Sequence, residues 1–133
     1  MNLKMSIVEM TQTKPKNSTF KSEHAFEARA AEAARVTTAY PCRVPVIVEP
    51  HQLTNPPKID KTKFLVPRDI TLGQFLFCIR KRLSLHEGNA LFFQVSGTLL
   101  PMSSLVGTVY EQHVDFDGFV YITYSTETTF GNS

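Results

Sequence analysis

Thr71-Leu72-Gly73-Gln74-Phe75-Leu76-Phe77-Cys78-Ile79-Arg80-Lys81-Arg82-Leu83 carries its own start and stop signals. Thr71 and Gln74 stand three apart, the spacing of a capping box, in which two side chains satisfy each other's backbone N–H groups at a helix start. Leu72, Phe75, Leu76, Ile79 and Leu83 then recur at helical spacing and form one apolar stripe. Arg80-Lys81-Arg82 falls in the last turn, where cations complement the helix dipole. A helix with a single apolar stripe calls for a sheet to cover, and strand-like runs lie on both sides of it.

Upstream, Phe64-Leu65-Val66-Pro67 is a short strand. Pro67 cannot donate to a ladder, which places this strand at an open edge. Val44-Pro45-Val46-Ile47-Val48 is a β-branched run with proline near its start, a buried strand. His51 to Lys58, with Asn55-Pro56-Pro57 inside it, is a loop. Further upstream, Ala28, Ala30, Ala31, Ala33 and Ala34 favour a helix over about Phe26 to Ala39, ended by Tyr40-Pro41. A shorter helix over Phe20 to His24 is expected, capped by Ser18 or Asn17.

Downstream, residues 90–100 read as strand, Ser96-Gly97 turn and short strand. Ser103 or Ser104 is expected to cap a helix through Tyr110. Asp117-Gly118 turns into the last strand, Phe119-Val120-Tyr121-Ile122-Thr123-Tyr124. The order is helix, helix, strand, strand, helix, strand, helix, strand. This is an α+β fold of β-grasp topology: a four-stranded mixed sheet with a packed helix, preceded by two N-terminal helices.

Length and composition agree. At 133 residues, with 42% hydrophobic content, the chain suits one soluble domain with one core. No apolar run is long enough to span a membrane, and Met1 to Asn17 lacks the apolar stretch of a secretory signal. Residues 1–16 are expected to be a disordered leader, residues 17–131 the domain. Cys42 and Cys78 stand alone, which argues against zinc and against a disulfide framework and suits a reducing cytosol. The net charge of +2 hides an asymmetry. Residues 58–82 carry seven bases against two acids, whereas residues 83–133 hold five acids and no Lys or Arg. Such a field can steer acidic partners or anionic lipid.

The chain ends on a polar stretch, Ser125 to Thr129, then Phe130, Gly131, Asn132 and Ser133. Glycine lacks a Cβ, so its carboxyl group can enter a narrow enzyme channel. By itself a glycine in a terminal tail is an ordinary finding.

The segments His24-Ala25-Phe26-Glu27, Tyr40-Pro41-Cys42-Arg43-Val44-Pro45-Val46-Ile47-Val48-Glu49, Phe64-Leu65-Val66-Pro67, Thr71-Leu72-Gly73-Gln74-Phe75, Ile79-Arg80-Lys81-Arg82, Asp117-Gly118-Phe119-Val120-Tyr121-Ile122 and Thr129-Phe130-Gly131 occur in this order across residues 18–131. As an ordered set they resemble the ubiquitin-like autophagy modifiers, the light-chain-3 and GABA-receptor-associated-protein group. The chain departs from that pattern at Ala25, where the family usually has proline, and at Cys42, where it has an acid. The leader has no clear counterpart.

The resemblance implies a life cycle. A processing cysteine protease cuts after Gly131, with Phe130 as a recognition contact, and releases Asn132-Ser133. Activating and conjugating enzymes then carry Gly131 to the amino group of phosphatidylethanolamine. The chain is a carried substrate rather than an enzyme, needs no cofactor or metal, and is mostly monomeric in solution. It starts cytoplasmic and becomes peripheral on autophagosome membranes.

The resemblance also implies docking of short peptides of cargo receptors, with an aromatic residue and an aliphatic one three positions on, by strand addition to a sheet edge at Lys63 to Pro67. The aromatic pocket would be lined by Glu32, Val36, Pro45, Ile47, Lys63, Leu65 and Phe119. The aliphatic pocket would be lined by Phe64, Val66, Pro67, Ile70, Phe75, Cys78 and Arg82. Arg43, Lys61, Lys63 and Arg82 would meet acids on the partner. On periodicity alone, Ile47, Leu65, Val66 and Phe75 read as plain core.

Three other functions compete. Cys42 or Cys78 with His24, His51, His86 or His113 could form a nucleophile pair, but no spacing supports one. A nucleic-acid binder would interleave exposed aromatics with bases, and Phe64 is the only evident candidate. A non-conjugated adaptor for trafficking or the cytoskeleton would share the groove and differ at the tail.

Overall fold

The computed structural model describes residues 18–54, 56–86 and 88–126. The leader, Phe130, Gly131 and the last two residues lie outside them. Nine elements follow one another: α1 (Phe20–Glu23), α2 (Phe26–Ala39), β1 (Arg43–Pro50), β2 (Lys63–Pro67), α3 (Leu72–Leu83), β3 (Phe92–Val95), β4 (Thr98–Leu99), α4 (Val106–His113) and β5 (Val120–Ser125). The strands form one sheet in the order β2-β1-β5-β3-β4. β1 and β5 run parallel at its centre, and every other pairing is antiparallel. The two-residue β4 adds a fifth strand to the four expected.

α3 begins as its sequence dictates. Thr71 Oγ1 accepts the Gln74 N–H, and Gln74 Oε1 accepts the Thr71 N–H. α1 is capped in the same way, but by Thr19 with Ser22 rather than by Ser18; Asn17 lies outside the described residues. α4 also differs from expectation. It starts after Leu105 with no side-chain cap and runs on to His113, and neither Ser103 nor Ser104 caps it. Its first N–H groups are satisfied by backbone instead: Val106 donates to the Ile70 carbonyl at 2.8 Å and Gly107 to that of Arg68 at 2.9 Å. The loop before α4 returns the favour to α3, where Leu72 donates to Ser104 and Gly73 to Met102. Two helix starts thus satisfy each other's orphan donors, and no serine is needed.

Each face of the sheet has its own cover. Val44, Val46, Val48, Phe64, Val66, Phe93, Val120, Ile122 and Tyr124 join the main core with Leu72, Phe75, Ile79 and Leu83 of α3 and Val106 and Val109 of α4. The Phe64–Phe75 rings meet edge-on at 5.8 Å, and Phe75 and Phe93 tilt together at the same spacing. The opposite face carries a smaller cluster, Phe20, Ala33, Ile47 and Phe119 with Tyr121 against it, under α1 and α2. Gly118 (φ +93°) turns the chain into β5, and a Cβ there would lie 2.8 Å from the Ala33 Cβ. Only glycine allows both that conformation and the approach of α2.

Candidate functional site

β2 is an edge strand, as Pro67 suggested, and its register against β1 decides which backbone groups face away from the sheet. Arg68 N–H donates to the Cys42 carbonyl at 3.0 Å, and Val48 N–H donates to that of Thr62 at 2.8 Å. Between them the pairs are Val44↔Val66 and Val46↔Phe64, alternating with Pro45↔Leu65 and Ile47↔Lys63. Hydrogen-bonded pairs alternate with non-bonded ones in an antiparallel ladder. Val66 and Phe64 therefore bond to β1, while the N–H and C=O groups of Lys63 and Leu65 point outward. Pro67 has the same outward parity, so its missing N–H costs the sheet nothing. Pro45 lies before the β1–β5 ladder, which begins at Val46↔Val120.

Strand alternation sends Lys63 and Leu65, with Pro45 and Ile47, to the face under α1 and α2. Glu32 and Val36 of α2 and Phe119 join them there, so the seven residues expected around an aromatic pocket belong to one region. They are packed shut. Phe119 and Ile47 are fully buried, and Leu65 and Lys63 are each 3% exposed. Lys63 Nζ donates to both Glu32 oxygens, at 2.9 and 3.0 Å. Phe20 of α1 completes the closure, with its ring 5.2 Å from that of Phe119 and 5.1 Å beneath Lys63 Nζ. A guest ring can enter only by displacing the Lys63–Glu32 pair or Phe20. Sequence reading missed Phe20, although an apolar residue inside a short capped helix was a visible signal.

The seven residues expected around an aliphatic pocket form a floor and a rim. Phe64, Val66, Ile70 and Phe75 are buried in the main core. Buried in this way, Phe64 offers no stacking surface for a nucleic-acid base. Pro67 and Cys78 are partly exposed, and Arg82 is exposed. The Arg82 guanidinium lies 5.3 Å from the Phe64 ring centre and reaches Asp60 at 3.1 Å. Arg43 and Lys61 are both half-buried.

What holds α1 and α2 in place is polar. Arg29 Nε donates to Asp117 Oδ2 at 2.8 Å, and the side chains are 10% and 0% exposed. Tyr121 O–H donates to the same oxygen, and Asp117 Oδ1 accepts the Phe119 N–H at 2.9 Å. The hydrogen bond to Asp117 raises the Arg29 pKa above its ordinary value. Burial, and then the hydrogen bond to Asp117, push the Tyr121 phenol well above its usual range. Lys21 reaches Asp115 at 3.0 Å, and the net effect lowers the Asp115 pKa: its burial acts upward, but the Lys21 hydrogen bond leads the opposing causes. Phe20 N–H donates to Glu49 Oε2 at 2.7 Å. Sequence reading assigned Asp117 a turn only; its Asx-turn geometry, accepting an N–H two residues on, suits that role as well.

A cleft of about 350 Å³ lies at the start of α4, lined by Arg68, Asp69, Leu105, Gly107, Thr108 and Glu111. Among the described residues no cluster of three or more His, Cys, Asp or Glu is placed to hold a metal ion, and no helix is long and apolar enough to cross a membrane.

The family profile described as "Autophagy protein Atg8 ubiquitin like" matches residues 28–131. Autophagy-related protein 8A of Oryza sativa subsp. indica is 49% identical over 116 residues, covering 87% of this chain and 98% of that protein. Autophagy-related protein 8 of Saccharomyces cerevisiae (strain YJM789) is 49% identical over 114 residues, covering 86% and 97%. The crystal structure of Trypanosoma brucei ATG8 superposes with a TM-score of 0.78 at 41% identity, covering 83% of this chain and 95% of that one.

Proposed function

Because this chain belongs to the Atg8 ubiquitin-like autophagy family, we propose that it is a modifier conjugated through Gly131 to phosphatidylethanolamine and a docking platform for aromatic-x-x-aliphatic peptides. Its parts are a leader (1–16), the conjugated domain (17–131) and a propeptide (132–133). The observation that supports conjugation is that the family match ends at Gly131. The protease, activating enzyme and conjugating enzyme supply the chemistry. The chain supplies an unhindered carboxylate, first freed by hydrolysis, then adenylated, passed through thioesters and joined to the lipid amine as an amide. The acyl chains of the lipid then hold the domain peripherally on autophagosome membranes.

Docking rests on the outward parity of Lys63 and Leu65 beside two sets of apolar side chains. A guest strand on β2 would accept from and donate to these two residues, and its alternate side chains would reach the two regions. The aromatic region must open, so the Lys63–Glu32 pair acts as a latch; an acid on the guest can replace Glu32 as partner of Lys63.

Two variants test the reading. Gly131→Ala should remain unlipidated in a reconstituted conjugation reaction and still bind peptide; a membrane-anchored Gly131→Ala protein would overturn conjugation. Leu65→Ala should weaken peptide binding about tenfold, roughly 1.4 kcal/mol, while the protein stays folded by circular dichroism. Unchanged binding would sink the pocket assignment. A protein that binds peptide but is never lipidated as wild type is the non-conjugated adaptor.

A further inference from the structure

The face that carries α1 and α2 is wider than those helices. Glu49, Thr123, Gln94 and Leu99 form one cross-strand row through the registers Glu49↔Thr123, Gln94↔Thr123 and Gln94↔Leu99. The row shares its face with Ile47 and Tyr121, which precede Glu49 and Thr123 by two residues. Gln94 is 3% exposed, yet its Oε1 has no hydrogen-bond partner. A buried amide oxygen without a donor calls for a group to complete it. Next to it Leu99 is 46% exposed.

The chain enters α1 at the start of this row, since Phe20 N–H donates to Glu49. Residues 1–17 precede that point. Their first part alternates, with Met1, Leu3, Met5 and Ile7 separated by Asn2, Lys4 and Ser6. Such alternation gives an extended segment one apolar side. Three strand spacings, about 14 Å, separate β1 from β4. The stretch from Ile7 to Ser18 can span up to about 36 Å.

We propose that the leader folds back across this face, with Leu3, Met5 and Ile7 packed on Leu99 and Phe92 and a leader N–H donated to Gln94 Oε1. The occupant is the chain's own N-terminal segment. It covers the β3–β4 side, while β2 stands at the other edge of the sheet. The leader therefore leaves the peptide edge open, and the two surfaces work independently.

A spin label at Met5→Cys, on the full chain with Cys42→Ser and Cys78→Ser, tests this by paramagnetic broadening of backbone amides. The amides of Gln94, Leu99 and Thr123 should lose most of their intensity, and those of Lys63 and Leu65 should keep theirs. Adding Leu3→Asp and Ile7→Asp should restore the lost signals. Unbroadened Gln94 and Leu99 amides would overturn the proposal. So would equal broadening when the label sits on one chain and the isotope on another, which would make the occupant a second copy.

Discussion

Under α3 and α4 the sheet buries three stacked phenylalanines, a row of valines and a stripe of leucine and isoleucine, with no ion pair among them. Under α1 and α2 it buries only Phe20, Ala33, Ile47 and Phe119, and the remaining attachment is made by Arg29–Asp117, Lys63–Glu32, Lys21–Asp115 and Phe20–Glu49. The first face draws on apolar area, which is non-directional and hard to exchange. The second draws on charge pairs, which favour one arrangement and can trade partners. The difference suits the two jobs proposed here: one face sustains the fold, and the other must let a guest ring in.

The largest effect should come from the apolar face. Phe75→Ala removes a ring that touches both Phe64 and Phe93, and should cost about 3–5 kcal/mol in denaturant unfolding. A much smaller cost would mean the two faces share the load. Next comes Arg29→Met, which leaves Asp117 buried without its cation. About 3 kcal/mol should be lost, with lowered hydrogen-exchange protection centred on α1 and α2. If α3 loosened equally, the faces would not be separable units.

Alkaline pH should act through both faces in turn. Tyr124, whose O–H donates to the Pro57 carbonyl on the apolar face, has its pKa pushed up by burial to about 12. The folded state holds this proton more tightly than the unfolded chain, whose tyrosines release theirs near pH 10. Stability from this group is thus complete below about pH 10 and is lost as pH rises toward about 12. Ultraviolet titration should show Tyr124 and Tyr121 ionising after Tyr40. Tyr124 ionising in step with Tyr40 would contradict the buried assignment.

The smallest effect belongs to Asp115. Its lowered pKa means that its contribution is present above the usual carboxylate value near 4 and lost as pH falls below it. The pair is partly exposed, so Lys21→Ala should cost under about 1 kcal/mol and flatten the acid limb of the stability profile. An unchanged acid limb would remove Lys21–Asp115 from the ties of the polar face.

Much of the apolar face was legible in the sequence. The Thr71–Gln74 box, the stripe from Leu72 to Leu83, the Ser96-Gly97 and Asp117-Gly118 turns and the edge position of β2 all follow from neighbours a few residues apart. The polar face was not, because Arg29 and Asp117 meet across 88 residues of chain, and no local pattern marks a partner at that distance. The α4 start was missed for the same reason, since its donors are satisfied by carbonyls of the β2–α3 connection rather than by the adjacent serines. Of the docking residues, their grouping on one edge could be read from the resemblance, but not their closure, which depends on Phe20 and on the pairing of Lys63 with Glu32.

Pro67 gives the β2 edge a built-in length limit. A guest laid along it finds two amide donors, at Lys63 and Leu65, and then a ring that offers none. Backbone pairing alone is therefore too short to hold an arbitrary extended chain, and an edge this brief is a poor template for runaway self-association. A guest that stays must do so through its side chains, which makes the ledge selective and keeps its occupants exchangeable.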